Sequence, residues 1–288
     1  PPSCPAALRN FKKTAEKEGF YTEFITKDDF SQLSEFDALF IRETTSVNNY
    51  TYHFSRTAYA EGLVVIDDPW SILRCSNKIF QNERLKQNKI KTLATVVLSK
   101  TTWRKLQTAH LTFPLVLKQP DSAFSLGVEK VNTPDELDTS LKKLFELSDL
   151  VIVQEFKPSD FDWRIGVLDQ APLFACKYYM AKNHWQIYDW NSESKDKGGN
   201  SETIPINEVP EQVVKTAVKA ASLIGDGLYG VDLKMIDNEV YVVEINDNPN
   251  IDAGVEDLVL KDELYRKIIR SLINRIEVNR NIAQFVTV

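Results

Sequence analysis

The segment over residues 229–250, YGVDLKMIDNEVYVVEINDNPN, constrains the fold more than any other part of the chain. Its apolar residues alternate on both sides of an Asp-Asn pair at 237–238, which predicts two antiparallel strands joined by a tight turn. A turn centred on Asn238 places Asp232 opposite Glu244. Glu244 and Asn246 are two residues apart and therefore share one face of the second strand. The sequence thus predicts two carboxylates and one amide on the same face of a hairpin.

Three converging oxygen donors are the ligands that a hard divalent cation prefers. A solvated acidic face is the usual interpretation of a generic Asp and Glu pair. Here the valine and isoleucine neighbours indicate a buried strand, and burying bare carboxylates without a cation is costly. We therefore expect Asp232, Glu244 and Asn246 to bind Mg²⁺, with Mn²⁺ as the alternative.

Length and composition narrow the class of protein. A chain of 288 residues with 26% charged residues fits two globular domains or one large α/β unit. The net charge of −6 gives no broad basic surface for nucleic acid. We expect no membrane span, because the sequence has no run of 18 apolar residues, and we see no signal peptide. Three widely spaced cysteines without a CxxC motif favour reduced thiols and a cytoplasmic location.

The first 75 residues predict a parallel α/β domain, because short apolar strands alternate with helices. We expect a helix over 6–18 and strands near 21–26, 38–41 and 63–66. Such a domain normally opens with a strand rather than a helix. We therefore expect that sequence upstream of this segment is missing.

Two further units follow. The unit over 76–157 contains apolar strands and two predicted helices, near 101–109 and from Pro134, the latter opened by Thr133 as N-cap. The unit over 158–288 contains an antiparallel pair joined at Asp169-Gln170, a polar loop over 191–203, a helix over 210–224, the hairpin and a helix over 256–277.

Three lysines lie beside predicted strands. Lys118 and Lys177 end apolar strands, and Lys78 follows the turn into a helix. A single lysine at a strand end is usually a surface charge on an apolar stem. Together with Lys195 and Lys197 of the polar loop and with the acidic hairpin, these lysines predict a site that holds a triphosphate and its metal.

The order of these motifs resembles the ATP-grasp superfamily, and it is most similar to the RimK-like branch, which contains the ribosomal protein S6 modification and glutathione synthase-like enzymes. The resemblance covers roughly residues 60–275, and the motifs in order are Lys78, FPLVLKQP, SAFSLG, VQEF, DWRIG, GVDLK and VVEINDNPN. The last two motifs are the most specific part. The SAFSLG loop is the least specific, since it has a single glycine and Phe124 lies within it.

The resemblance implies an α/β (α+β) chain with an ATP-grasp fold, in which two subdomains clasp ATP behind a partial parallel α/β domain. The implied domains are a pre-ATP-grasp domain over 1–75, a small ATP-grasp subdomain with linker over 76–157, and a C-terminal subdomain with the metal site over 158–288. A homo-oligomer is also implied.

The resemblance further assigns roles to residues. The implied ATP contacts are Lys78, Lys118, Ser122, Ser125, Gly127, Gln154, Glu155, Phe156 and Asp162. Within this set the backbone of Glu155 and Phe156 reads the adenine edge, Asp162 lies near the ribose, and the loop over 122–127 covers the phosphates. Asp232, Glu244 and Asn246 match the Mg²⁺ ligands.

Four residues are candidates for chemistry or substrate binding. Arg164 shares a strand face with Asp162, and we expect it to stabilise an acylphosphate, because a guanidinium binds such anions with two hydrogen bonds. Lys177 matches a position where relatives carry a basic residue near the phosphates. Arg42, at the end of a predicted parallel strand, and Asn248, after the last metal ligand, are candidates for substrate binding.

The function that follows from the resemblance is an ADP-forming carboxylate–amine ligase. It would join a small, glutamate-like amino acid to an amine, to a peptide or to the tail of a protein. Two alternatives stay open at this point: an ATP-grasp phosphotransferase, and a nucleotide-binding module without turnover. We expect neither nucleic acid nor membrane as a partner.

Overall fold

The structure is a computed structural model that describes residues 3–105, 111–121, 127–182, 184–187 and 199–280. The helices are α1 (Pro5–Lys17), α2 (Tyr50–Ala60), α3 (Pro69–Cys75), α4 (Lys78–Gln87), α5 (Pro134–Leu147), α6 (Glu211–Ser222) and α7 (Asp262–Asn279). The strands are β1 (Ala38–Phe40), β2 (Val64–Ile66), β3 (Thr95–Ser99), β4 (Leu115–Lys118), β5 (Glu129–Val131), β6 (Leu150–Glu155), β7 (Phe161–Leu168), β8 (Ala171–Tyr179), β9 (Ser201–Ile204), β10 (Leu228–Ile236) and β11 (Glu239–Asp247). Within these ranges, none of the helices combines the length and the apolar character that crossing a bilayer requires.

The strands form three sheets. β1 and β2 pair in parallel, as the alternating pattern predicted. The second sheet is antiparallel with the order β3-β6-β4-β5, and the third has the order β11-β10-β7-β8-β9. Each sheet lies inside one of the three predicted domain ranges, while the domain bounds themselves stay a prediction.

The hairpin predicted over residues 229–250 is formed by β10 and β11. Asp237 and Asn238 adopt φ values of 51° and 62°, which is the left-handed conformation that a two-residue hairpin turn requires. Asp232 pairs directly with Glu244, as predicted. A bulge follows Asp232, after which Leu233 pairs with Val242. The predicted hairpin and the pairing of Asp232 with Glu244 are therefore confirmed, but the turn is centred between Asp237 and Asn238 and the pairing depends on the bulge, which was not predicted.

Side-chain caps fix the start of several helices. The hydroxyl of Thr133 accepts a hydrogen bond from the backbone N–H of Glu136, which confirms the predicted start of α5. Asn77 caps α4 in the same way, through Phe80 N–H. Asp68 caps the short helix α3, because its carboxylate accepts hydrogen bonds from the backbone N–H groups of Trp70 and Ser71.

Both faces of the five-stranded sheet are covered. The helix α6 packs on one face against a cluster that includes Ile165 and Val231. The helices α1 and α7 cover the other face, where Ile268 packs near Leu228. A charged side chain on a strand of this sheet is therefore partly removed from water and needs an opposite charge beside it.

Three local predictions were wrong. The segment 21–26 is not a strand, because a strand needs a neighbour for its backbone hydrogen bonds and β1 pairs only with β2 among the described strands. The helix predicted near 101–109 is a single 3₁₀ turn over Trp103–Lys105 in its described part. The end of the predicted polar loop forms β9, which pairs with the edge of β8.

Candidate active site

Four charged side chains share one face of the third sheet. Because Asp232 pairs with Arg164 in the register between β10 and β7, the positions two residues further along, Lys234 and Asp162, lie on the same face. The Arg164 guanidinium donates to both carboxylate oxygens of Asp232, from Nε at 2.6 Å and from Nη2 at 2.7 Å. Lys234 Nζ lies 2.6 Å from Asp162 Oδ1. The result is two adjacent ion pairs with alternating signs.

The second hairpin carboxylate is also neutralised. Lys78 Nζ lies 2.7 Å from Glu244 Oε1. Burial by itself would raise the pKa of Glu244, but the charges of Lys78 and Lys118 outweigh it and lower the pKa. Burial raises the pKa of Asp232, and the ion pair with Arg164 opposes that shift. Asp232 and Glu244 therefore each lie beside a side-chain cation.

The third predicted metal ligand contacts the first. Asn246 Nδ2 donates to Asp232 Oδ2 at 3.1 Å, so the amide lies next to the pair of carboxylates. Two acids and one amide that converge from a single hairpin match the oxygen donors of Mg²⁺. The described residues contain no group of three or more His, Cys, Asp or Glu side chains arranged for a metal. A cation at this hairpin would therefore need ligands from a bound molecule as well.

Lys118 approaches the same group from the four-stranded sheet. It is buried at the end of β4, and its Nζ donates to the neutral Gln154 Oε1 at 3.1 Å. Burial lowers the pKa of Lys118 to about 8, with Glu244 opposing the shift and Lys78 adding to it. A buried ammonium with a neutral partner and a lowered pKa favours binding of an anion.

A cavity of about 160 Å³ lies between the two sheets. The predicted residues that line it are Lys78, Lys118, Gln154, Glu155, Phe156, Asp162 and Glu244. Residues 154–157 line it side by side. Phe156 N–H donates to Pro114 O at 3.2 Å and Glu155 N–H donates to Ala94 O at 2.9 Å, so neither N–H group is free for the predicted contact with an adenine edge. The structure thus brings six of the nine predicted nucleotide residues to one cleft, together with Glu244.

The predicted phosphate loop is only partly described. Ser122 and Ser125 lie outside the described residues, as do Phe124, Lys195 and Lys197. Gly127 is described and has a φ of 68°, a conformation that side-chain-bearing residues rarely adopt. The lid role of this loop stays a prediction.

Lys177 does not reach the charged group. It pairs with Trp163 in the β7–β8 register, whereas Arg164 pairs with Cys176, so Lys177 and Arg164 lie on opposite faces of the sheet. Its Nζ contacts Glu202 at 3.0 Å and lies over the rings of Phe161 and Trp163. The geometry therefore does not support the predicted contact of Lys177 with the phosphates.

Arg42 and Asn248 contact each other. Arg42 donates from Nη1 to Asn248 Oδ1 at 2.7 Å and from Nη2 to Pro249 O at 2.8 Å. Asn248 Nδ2 in turn donates to Glu43 O. Both terminal nitrogens of the guanidinium are thus occupied, and Arg42 is buried. The structure gives Arg42 the role of an anchor for the loop after β11, in place of the predicted direct contact with a substrate carboxylate.

Three residues of the cleft escaped the sequence analysis. They are Lys234, Lys157 and Trp185, all of which line the cavity. Lys234 could have been found, since it is two residues from Asp232 and must share its strand face. Trp185 packs edge to face on Phe156 with ring centroids 5.7 Å apart, a contact between segments that no local pattern indicates.

Comparison with known proteins assigns this cleft to a family. The sequence profile described as D-ala D-ala ligase C-terminus matches residues 80–253, which is more than half of the chain. The chain belongs to this family. The match contains the hairpin and the residues of the cleft other than Lys78, but it excludes the helix α7 and the parallel pair β1–β2. The family is one of ATP-grasp ligases, and the predicted ATP-grasp, RimK-like assignment is confirmed.

Curated ATP-grasp relatives share about a quarter of their residues with the chain. The α-aminoadipate–LysW ligase LysX of Saccharolobus solfataricus is 26% identical and covers 84% of the chain and 88% of its own length. The coenzyme γ-F420-2:α-L-glutamate ligase of Methanococcus maripaludis is 26% identical over 69% of the chain and 68% of its own length. A probable α-L-glutamate ligase of Shewanella denitrificans is 25% identical and covers 88% of the chain and 82% of its own length.

A solved ATP-grasp structure has the same fold. The D-alanine–D-alanine ligase of Bacillus anthracis, in complex with ATP, superposes with a TM-score of 0.72 and 19% sequence identity. The superposition covers 93% of this chain and 91% of that one. The predicted ATP-grasp fold is confirmed by this similarity over nearly the whole chain.

Proposed function

We propose that this ATP-grasp ligase is ADP-forming and joins the carboxylate of a small, glutamate-like amino acid to an amine. The observation that carries the proposal is the single cleft in which Lys78, Lys118 and the strand end at 154–156 face the acidic hairpin. The printed names of the relatives support the substrate class, because two of them are glutamate ligases. The amine donor is a small amino acid, a peptide or a protein tail.

The reaction has two balanced steps. A carboxylate oxygen of the acid attacks the γ-phosphorus of ATP, and ADP leaves with the electron pair of the broken P–O bond. The amine nitrogen then attacks the acyl carbon of the acylphosphate, and phosphate leaves as the nitrogen loses a proton. The protein needs no covalent nucleophile for this sequence and acts through positioning and charge.

The cleft offers cations for the phosphate oxygens. Lys118 is buried with a neutral partner, so an incoming phosphate would supply the counter-charge that its ammonium lacks. Lys78 is held against Glu244 at 2.7 Å and is close enough to the same region to contact a phosphate after a small side-chain movement. Both lysines would offset negative charge that develops on the transferred phosphoryl group.

The hairpin is the proposed metal site. Asp232, Glu244 and Asn246 would hold Mg²⁺ or Mn²⁺, which supplies positive charge and fixes the orientation of the terminal phosphates when bound. Arg164 holds Asp232 by two hydrogen bonds and thereby fixes the direction of its carboxylate. Its remaining nitrogen, Nη1, donates to none of the described residues and is the group that we propose for contact with the acylphosphate.

The loop after β11 is the proposed acid side of the site. Arg42 holds Asn248 and the carbonyl of Pro249, so the loop stays next to the last metal ligand. Gly230 permits this close approach, because a Cβ there would lie 2.8 Å from Cβ of Pro249. A cytoplasmic location is part of the proposal, in keeping with three free cysteines, two of them buried.

An ADP-release screen tests the proposed reaction. Pairs of one amino acid and one amine or peptide are incubated with ATP and Mg²⁺, and products are identified by mass spectrometry. We expect ADP release that needs both partners and a product whose mass is the sum of acid and amine minus water. ADP release that needs one hydroxyl-bearing acceptor alone, with a phosphorylated product, would contradict the proposed amide formation.

A further inference from the structure

Lys234, Asp162 and Ser159 form a buried cluster on the wall of the cleft. Lys234 Nζ lies 2.6 Å from Asp162 Oδ1, and the two side chains are 10% and 13% exposed. Ser159 Oγ donates to the same Asp162 oxygen at 3.0 Å and also contacts Lys234 Nζ. Two donors therefore hold one oxygen of this carboxylate in a fixed position.

The second oxygen of Asp162 is available to a ligand. In the described ranges, Asp162 Oδ2 accepts no hydrogen bond, whereas Oδ1 accepts two. Asp162 lines the cavity between the two sheets. A hydroxyl group in the cavity would meet an acceptor whose direction is already set, and a hydrogen bond to a charged acceptor is stronger than one between neutral groups.

Lys234 is not placed to leave Asp162 for a phosphate. On its own strand its nearest neighbour on the same face is Asp232, and across the sheet it is Asp162. Asp232 is already held by Arg164 through two hydrogen bonds. If Lys234 moved away, Asp162 would remain as a buried carboxylate without a counter-charge, which is costly. The geometry favours an orienting role over direct phosphate binding.

We infer, on the basis of the proposed nucleotide site, that Lys234 is a positioning residue for nucleotide recognition. It fixes Asp162 through Oδ1 so that Oδ2 accepts a hydrogen bond from a ribose hydroxyl. Lys234 thereby determines how strongly the protein prefers a ribonucleotide over the deoxynucleotide that lacks this hydroxyl. A merely structural ion pair would change the affinity for all of these nucleotides by the same factor.

Calorimetric binding of three diphosphates to the whole protein tests the inference without turnover. The probes are ADP, 2′-deoxyADP and 3′-deoxyADP. For the unaltered protein we expect one of the two deoxynucleotides to bind at least about fivefold more weakly than ADP. In Lys234→Met we expect the ratio of the affinity for ADP to the affinity for that deoxynucleotide to fall below about twofold. The reason is that the variant binds ADP more weakly and binds the deoxynucleotide as before. Lys234→Arg restores most of the ratio, since a guanidinium can also hold Asp162.

Two further variants separate positioning from loss of charge or fold. Lys157→Met removes another cation from the same cleft, one that contacts Tyr241 and not Asp162. It should weaken the binding of all three probes by the same factor and leave the ratio of their affinities unchanged. Asp162→Asn should reduce the ratio as Lys234→Met does, and the double variant should reduce it no further, because the two residues act as one unit. Asp162→Asn also serves if Lys234→Met fails to fold.

The outcomes are distinct. Equal binding of all three probes by the unaltered protein overturns the inference and leaves the proposed ligase intact. The inference is also overturned if folded Lys234→Met or Asp162→Asn prefers ADP over the deoxynucleotide as strongly as the unaltered protein does. If the unaltered protein binds none of the probes, the proposed nucleotide site fails, and the inference fails with it.

Discussion

The buried cations on the two walls of the cleft have different hydrogen-bond partners. On the wall formed by the third sheet, Arg164 and Lys234 each lie within 2.6 Å of a carboxylate oxygen. On the wall formed by the four-stranded sheet, the hydrogen bond that Lys118 donates among the described residues goes to the neutral oxygen of Gln154, at 3.1 Å, and Glu244 acts on it through its charge alone. The charges of the first wall are paired before any ligand binds, and under the proposed function a phosphate would give Lys118 an anionic hydrogen-bond partner.

The contrast separates residues that fix the geometry of the cleft from residues whose main role is to bind the ligand. Charges that are already paired keep their direction, which costs little reorganisation during the reaction. Burial destabilises the ammonium of Lys118 and lowers its pKa, although the charge of Glu244 opposes this shift. We therefore expect substitutions on the first wall to damage geometry, and substitutions of Lys118 to damage affinity.

The largest expected effect comes from the hairpin. Glu244→Gln should reduce ADP formation by about a thousandfold or more, because it removes a charged ligand from the proposed metal site while keeping the shape of the side chain. ADP release under saturating substrates is the measurement. Glu239→Gln is the matched control on the same hairpin, since Glu239 forms only an exposed pair with Lys91 and its loss should change activity less than twofold. Full turnover by folded Glu244→Gln would contradict the metal assignment.

A large effect on stability is expected from the first wall. Arg164→Met leaves Asp232 buried without its bidentate partner, and breaking a buried ion pair costs about 3–5 kcal/mol of unfolding free energy. Chemical denaturation followed by circular dichroism measures this loss. Arg275→Met removes an arginine that also holds an Asp, Asp169, but at a more exposed position, and it should cost clearly less. If the two variants lost equal amounts of unfolding free energy, the buried ion pair of Arg164 would contribute no more to stability than the more exposed pair of Arg275.

A smaller effect, on affinity, is expected from the second wall. Lys118→Met should weaken ATP binding by roughly ten- to a hundredfold, because the phosphates lose one buried charge-assisted hydrogen bond. Isothermal calorimetry measures the change. An unaltered affinity would mean that the phosphates do not approach Lys118.

The lowered pKa of Lys118 adds a pH dependence to this prediction. The protonated ammonium is the form that binds phosphate, so affinity is full well below the pKa of about 8 and falls as the pH rises through it. Between pH 7 and pH 9 we expect about a tenfold loss of affinity through this group, and no such loss in Lys118→Met. The same slope in both proteins would assign the titration to another residue.

The smallest effect is expected from Lys177→Met. Lys177 lies on the opposite face of the sheet from Arg164 and contacts Glu202. Its removal should change the rate of ADP formation less than about twofold, in keeping with the modest value of partly exposed pairs. A hundredfold loss of the rate of ADP formation with unchanged stability would show that Lys177 takes part in the reaction.

The sequence predicted the features that depend on residues close to one another along the chain, such as turns and strand faces. The hairpin turn at 237–238 needs residues that tolerate positive φ, and Asp and Asn supply them. Counting from that turn alone would place Asp232 opposite Val243, and the bulge after Asp232 shifts its partner to Glu244. The shared face of Asp162 and Arg164 follows from the period of a strand.

Contacts between distant elements could not be predicted in this way. The pair of Lys234 and Asp162 spans 72 residues and depends on β10 lying beside β7, an order that no single strand encodes. The contact of Arg42 with Asn248 spans 206 residues, and it changes the apparent role of Arg42. The error at 21–26 has a related cause, since alternation indicates a strand only where a neighbour accepts its hydrogen bonds.

The most direct measurement is the position of a metal in the complex. Crystals grown with Mn²⁺ and a non-hydrolysable ATP analogue give an anomalous signal that locates the ion. We expect the peak between Asp232 and Glu244, within about 2.5 Å of their oxygens and in contact with the phosphates. A bound nucleotide whose metal lies elsewhere, with Glu244 still paired to Lys78 and Asp232 still paired to Arg164, would contradict the assignment of this hairpin as the metal site.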